Sequence, residues 1–567
     1  MDNYEKKKMD LQIFVIFISH IMAGSKEPVI FLHFLLVKRY HNTTKTGKAV
    51  IYMIILPKNI HAVEIDGSHL TIEEVVAVAR LQVPVTIAGH AYKAMEQSRQ
   101  LVEEIIKKDD PCYGINTGFG EFSKIRIGTG SNAKLQENLI LSHSVATGDP
   151  YKEEVVRAMM LLRANALCIG FSGIRPEVVK TLIDMLNAGV HPVVPQKGSL
   201  GASGDLAPLA HMVLPLIGYG EAYYKGEKLE GRKAMELAHI TPCQLLAKEG
   251  LALINGTQAM TAVGTLAYYD SLCAAQMADI TLAVTMEALT GLENAFDPRV
   301  QKVRPHQGQG MVAANVQKLI HGSPLLAKSQ HLRVQDAYAL RCAPQVHGAI
   351  RDALDYVRHT LMIELNSVTD NPIIFQDNGD VISGGNFHGE PMALAFDFLG
   401  IAVSEIAGIS ERRLERLVNP ALSNGLPAFL TKHGGVNSGM MICQYSAASM
   451  VSENKVLAHP ACVDSIPSSA NQEDHVSMGT TAARKAAQIV ENTLSVLALE
   501  LMAAVQGVDL REDEPSPVTK EVCRLVRSYV PFLENDREMR IDVASMNSLI
   551  RSGKLLELVT SLVPDFE

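Results

Sequence analysis

The sequence predicts a mainly α protein, and three observations carry the prediction. Apolar residues recur at helical spacing over long stretches, from Met260 to Leu292, Val346 to Leu365, Met392 to Leu417 and Thr480 to Val508. The 260–292 stretch is rich in Ala, Thr, Met and Leu with sparse charge, so it is apolar on most faces and reads as a buried helix. Shorter helical patterns, at 135–145, 153–166 and 177–188, fill the first half from Ala133 onward. Long helices of this kind bundle, and the apolar surface left over points to coverage by other subunits.

Composition narrows the class. The 567 residues are 47% apolar and 20% charged, as in soluble globular chains. The formal charge of −9 and the absence of a basic stripe with interleaved aromatics argue against nucleic acid as a partner. The 8 cysteines are scattered with no Cys-x-x-Cys pair, which suits a reducing cytoplasm and argues against a zinc site.

Residues 1–60 differ from the rest. Lys6-Lys7-Lys8 precede an apolar run at 11–18, a polar break at 25–28 and a second apolar run at 30–37. Both runs are shorter than the ~20 residues of a spanning helix. The first has the layout of a signal-peptide core, yet the remaining chain reads as cytoplasmic, with no membrane partner. The segment is therefore expected to lie outside the functional fold, as a translated upstream region with the native start nearer Met53.

The globular part is expected to open with a short strand and turn at 61–67. A helix over 71–80 follows, capped by Thr71 with Glu74 three residues on. Tyr113-Gly114-Ile115-Asn116-Thr117-Gly118-Phe119-Gly120 has the glycines of a loop that closes over a site; a plain turn with Tyr113 packed beneath it fits the residues equally well. The helix at 135–145 carries His143, which by itself reads as a satisfied core histidine.

One stretch invites a chemical reading, Gly198-Ser199-Leu200-Gly201-Ala202-Ser203-Gly204-Asp205-Leu206-Ala207-Pro208. Small residues let a loop compress until the Gly204 nitrogen reaches the Ala202 carbonyl carbon. Loss of one water closes a five-membered ring, and loss of a second from Ser203 leaves an exocyclic methylidene, an electrophile made from the backbone. An ordinary turn ahead of a helix, with Asp205 near the N-cap and Pro208 in the first turn, explains the same letters. A phosphate cradle is a third option, without the Lys-Ser/Thr of a P-loop.

Polar clusters punctuate the helices at 255–257, 335–341, 364–372, 384–389 and 471–475. Taken singly, Arg341 reads as half of an ion pair and Glu473-Asp474 as a helix N-terminus. Together with 202–204, these clusters resemble the aromatic amino-acid ammonia-lyases, over nearly everything from His61 to the C-terminus. Ser142-His143 stands where the tyrosine and phenylalanine lyases carry His-Leu or Phe-Leu, and Gln472-Glu473 where they carry Gln-Asp. The chain thus resembles the branch that acts on histidine.

The resemblance implies an N-terminal active-site domain over 61–260, beyond the extension 1–60, and an antiparallel helical bundle with a C-terminal helical region over 261–567, an aspartase/fumarase-like architecture. It implies elimination of ammonia from L-histidine to trans-urocanate, opening histidine degradation. The neighbouring alternatives are a tyrosine or phenylalanine lyase, or an aminomutase. The electrophile would be 4-methylidene-imidazole-5-one (MIO), formed from Ala202, Ser203 and Gly204, with no metal, pyridoxal phosphate or nucleotide. Tyr113 would be the base at the β-carbon, its phenolate favoured by nearby positive charge or hydrogen-bond donors. Arg341 would hold the substrate carboxylate. Asn255 and Gln335 would bind the carboxylate and the carbonyl oxygen of the electrophile, Tyr338 would line the site, and Phe387 would pack near the electrophile. His143 and Glu473 would read the imidazole, Glu473 also serving as a base, and Asp205 would help activate the loop. Active sites would draw on three subunits of a homotetramer.

Overall fold

The computed structural model describes residues 57–567 apart from positions 109, 110, 119 and 332. Most of the 1–60 extension, and Phe119 of the glycine-rich loop, therefore lie outside the described residues.

The chain opens with β1 (Val63–Ile65), paired in parallel with β2 (Val85–Ile87) across α1 (Ile72–Leu81). The expected capping box is present: Thr71 Oγ1 accepts from Glu74 N at 3.2 Å, and Glu74 Oε2 accepts from Thr71 N at 2.8 Å. Next come α2 (Gly89–Lys108), α3 (Asn132–His143), α4 (Glu153–Cys168) and α5 (Pro176–Ala188). Pro176 starts α5, and Gly189 ends it in the left-handed region at φ 77°. After α6 (Leu206–Val213) a small antiparallel sheet forms from 190–192, 221–224 and 227–230, which periodicity did not reveal.

From α7 (Glu249–Ile254) onward helices take over. α8 (Gln258–Ala288) is buried along most of its length, as its uniform apolarity requires. Around it stand α9 (Gln307–Ile320), the short α10 (Tyr338–Arg341), α11 (Ala343–Glu364), α12 (Glu390–Val418), α13 (Met441–Leu457) and α14 (Gly479–Asp509). α12 and α14 are long and apolar enough to cross a membrane, but the apolar window of α14 is 83% buried within the protein. All eight cysteines are free thiols.

The bundle interior is not purely apolar. Arg413 of α12 forks onto Glu500 of α14 at 2.6 and 2.8 Å, and Glu500 also accepts from Ser410 at 2.5 Å and Thr285 at 2.7 Å. One helical layer away, Asp279 of α8 takes His347 Nδ1 at 2.9 Å, Arg351 at 2.7 Å and Asn315 at 3.0 Å. Every charge here meets an opposite charge, and each helix contributes one or two members, so the lattice fixes the register of five helices.

Candidate active site

The 198–205 loop enters α6 in a conformation that glycine alone supports. Gly204 has φ +73°, and a Cβ there would lie 2.2 Å from the Gly256 carbonyl oxygen. That same oxygen accepts the Asp205 N–H at 2.7 Å, so the Gly256 peptide lies directly against the Gly204-Asp205 backbone. The other side of the loop is tied down too. Leu200 O accepts from Met478 N at 2.8 Å, and Gly201 O accepts from Ser477 Oγ at 2.8 Å and Gly389 N at 3.3 Å. The Gly204 N–H, by contrast, donates to no backbone carbonyl among the described residues.

Asp205 occupies the N-cap position of α6 but does not cap it. Its carboxylate turns inward, fully buried, and accepts from Ser199 Oγ at 2.7 Å, Met260 N at 2.8 Å and the Thr480 hydroxyl. Burial pushes its pKa up against the pull of these donors. The expected N-cap position is thus borne out, with Pro208 in the first turn, but the side chain spends its oxygens on Ser199, Met260 and Thr480 instead of the helix's own N–H groups.

Ser203 Oγ donates to Glu473 Oε1 at 2.5 Å, and Asn255 Nδ2 donates to Ser203 O at 2.8 Å. Glu473 does not start a helix. It closes a tight loop in which Ser468 N donates to Glu473 O at 2.9 Å and Ser468 Oγ donates to Glu473 Oε2 at 3.1 Å, six residues before α14 begins. Tyr113 and His143 both feel the Glu473 charge. Burial raises the Tyr113 phenol, the Glu473 charge raises it further, and the Gly120 N–H opposes both. Of the positive charge or hydrogen-bond donors expected beside Tyr113, one chain supplies a donor, the Gly120 N–H, and adds a negative charge. Burial lowers the His143 pKa, which keeps its ring neutral near pH 7, with Nδ1 3.1 Å from Ser142 Oγ.

Ala202 is buried against Val476 and Met478. Phe387, half-buried, lies on the 384–389 loop, which reaches the electrophile segment through the Gly389–Gly201 bond and stacks His388 on His475 at 5.7 Å. Gln335, Tyr338 and Arg341 stand apart. Tyr338 is 69% exposed, Gln335 is exposed, and no hydrogen bond or ion pair among the described residues joins them to 202–204. Arg341 forms no ion pair there either. Its guanidinium lies 4.5 Å from the Tyr338 ring centroid, and its buried Nε lacks a partner.

Two buried cations behind the loop escaped the sequence reading. Arg163 of α4 donates through Nη1 to Asn255 O at 3.1 Å, Gln258 Oε1 at 2.8 Å and Thr369 O at 3.2 Å. Lys248, at the start of α7, pairs with Asp370 at 2.9 Å, both side chains fully buried. The available signal was an arginine inside the apolar run Met159-Met160-Leu161-Leu162-Arg163-Ala164.

An internal electrophile fits this cradle. The Gly204 N–H has no backbone acceptor among the described residues, the Ser203 hydroxyl meets a carboxylate, and Gly204 sits where a side chain has no room. A helical body of this kind is shared by ammonia-lyases and aminomutases. The sequence profile of the aromatic amino acid lyases matches residues 70–528, and the chain belongs to that family. The histidine ammonia-lyase of Caldanaerobacter subterraneus subsp. tengcongensis is 58% identical over 498 residues, 88% of this chain and 98% of that relative. The crystal structure of histidine ammonia-lyase from Trypanosoma cruzi superposes with a TM-score of 0.83 at 42% identity, covering 88% of this chain and 95% of that one. Tyrosine aminomutase from Streptomyces globisporus gives 0.84 at 38% identity, over 88% and 98% of the two chains. The backbone is thus shared across substrates, and the side chains make the distinction.

Proposed function

We propose that this chain eliminates ammonia from L-histidine to give trans-urocanate, using an MIO group formed from Ala202, Ser203 and Gly204. One observation carries the reading: Ser203 Oγ donates to Glu473 Oε1 at 2.5 Å, and the charge of that carboxylate reaches Tyr113 and His143. A carboxylate beside a neutral imidazole suits an imidazole substrate, which presents both an N–H and a lone pair. A phenyl ring offers neither group to satisfy them.

When formed, the group supplies a methylidene carbon that captures the substrate amine and makes it a leaving group. The surrounding side chains do the rest. Asn255 Nδ2 holds the Ser203 carbonyl oxygen, which becomes the ring carbonyl. Tyr113 removes the β-proton as phenolate. His143, neutral, shares the substrate ring with Glu473. Phe387 packs beside the electrophile and keeps water out. Asp205, braced by Ser199 and Thr480, steadies the turn from which the ring closes.

Gln335, Tyr338 and Arg341 act on the loop of another copy. Arg341, brought there, grips the substrate carboxylate and supplies the positive charge that Tyr113 lacks within its own chain. An apolar face awaits such copies: Tyr356, Leu394, Phe398, Ile401, Ile442 and Tyr445 of α11–α13 are exposed. The reading is a homotetramer with shared sites, at work in a reducing cytoplasm that suits its eight free thiols.

Near-ultraviolet absorbance during incubation with L-histidine, L-tyrosine and L-phenylalanine tests the substrate. Urocanate from histidine alone is expected. Coumarate or cinnamate would move the substrate and keep the chemistry. Mixing inactive Ser203→Ala and Arg341→Ala proteins, after dissociation and reassembly, tests the sharing. Recovered activity is expected, and none would place Arg341 with its own loop.

A further inference from the structure

The 202–204 turn is held from behind by a residue that touches none of the reacting atoms. Arg163 is wholly buried, and its Nη1 reaches Asn255 O, Gln258 Oε1 and Thr369 O at 3.1, 2.8 and 3.2 Å. A Cβ on Gly256 would lie 2.2 Å from that nitrogen, 2.4 Å from Gln258 Oε1 and 2.6 Å from Thr369 O. On its other face, the Gly256 carbonyl bears on Gly204 and accepts the Asp205 N–H. The Gly256 peptide is therefore squeezed between a guanidinium and the future ring. Gln258 is itself fixed, donating to Thr369 Oγ1 at 2.7 Å, so the clamp spans α4, the start of α8 and the 369–371 segment. Nε and Nη2 of Arg163 have no hydrogen-bond partner among the described residues, so Nη1 carries its hydrogen bonds there.

We propose that Arg163 is a positioning residue for ring closure, pressing Gly256 onto Gly204-Asp205 and so holding the turn from which the Gly204 nitrogen attacks Ala202. This rests on the proposed function. The Gly204 nitrogen bonds to the Ala202 carbonyl carbon and passes its proton to the carbonyl oxygen. That oxygen leaves as water with the Ser203 N–H proton, giving a C=N bond. The Ser203 Cα–H and Cβ–O bonds then break, and the second water leaves. Arg163 supplies no proton to either step. Its contribution is geometric: it maintains the contact distance at which an amide nitrogen, a poor nucleophile, meets a carbonyl carbon.

Intact mass over time after synthesis, with thermal unfolding in parallel, tests this on the full chain. Wild type is expected to lose the mass of two waters completely; failure there would overturn the proposed function itself. Arg163→Gln is expected to fold yet mature about a hundredfold more slowly. Arg163→Lys, which keeps a donor but shortens its reach, is expected to fall between. The matured fraction of either variant keeps the wild-type KM for histidine, while apparent kcat follows the matured fraction. Should Arg163→Gln not fold, Gln258→Leu, which removes the 2.8 Å acceptor, takes its place with about tenfold slower maturation. A folded variant that loses both waters at the wild-type rate overturns the proposal, as does a raised KM with complete maturation.

Discussion

The electrophile loop and the polar lattice of the bundle both bury charge, but they handle it in opposite ways. In the bundle, Glu500 takes a two-pronged Arg413 and two hydroxyls, and Asp279 takes a histidine, an arginine and an asparagine. In the loop, Asp205 is met by hydroxyls and an amide with no cation among its bonded partners, Arg163 meets carbonyls with no carboxylate, and the Gly204 N–H is left without a backbone acceptor. Saturated charges lock helices. Groups without a saturating counter-charge, held in place by what surrounds them, shape a turn instead.

The sharpest way to break this comparison is Ser203→Ala. Activity should fall beyond about 10⁴-fold while the melting temperature moves by only a few degrees, because the hydroxyl serves chemistry rather than packing. A collapse in melting temperature would put Ser203 with the lattice. Tyr113→Phe should cost about 10²–10⁴ in kcat and flatten the rise of rate with pH, since burial and Glu473 hold the phenol protonated. Retention of the pH slope in that variant would remove Tyr113 as the base.

On the bundle side, Glu500→Ala strands Arg413 and should cost about 3–5 kcal/mol in denaturant unfolding, with substrate preference unchanged. The two regions should also differ in the sign of their pH dependence. Burial lowers His347, and the ion pair with Arg351 lowers Asp279 against the opposing effect of burial, with Arg413 adding to the lowering of His347. Their stabilisation is therefore lost as pH falls, first below 6.5 for the histidine and then below 3.8 for the aspartate. Asp205 is raised, so its contribution is present below 3.8 and lost as pH rises through its folded value. Melting temperature measured across acidic pH should climb more steeply in Asp205→Asn than in wild type, and identical slopes would sink the assignment. The smallest effect expected is Ser410→Ala, about 1.5 kcal/mol, since Arg413 still neutralises Glu500.

The helices were legible because each carries its own pattern. Thr71 and Glu74 announce α1, and the Ala, Thr and Met of 260–288 announce a buried rod. The loop at 202–204 was legible from the smallness of its residues. Contacts across sequence were not. Asp205 looked like an N-cap because Thr480, its actual partner, lies 275 residues on. Arg163 hid in an apolar helix because it meets carbonyls from 255 and 369, far along the chain, and not an acid on its own helix. The resemblance proposed roles for Tyr338 and Arg341, but no hydrogen bond or ion pair among the described residues joins them to the 202–204 turn.

The bond between Ser203 and Glu473 spans 270 residues. A ribosome that has just finished the Ala-Ser-Gly letters has made nothing reactive, because their partners are not yet translated. A chain cut short before the start of α14 carries the tripeptide without Thr480 behind it. If ring closure needs these partners, as the proposed function has it, the electrophile forms only on a finished molecule and an abandoned fragment carries none.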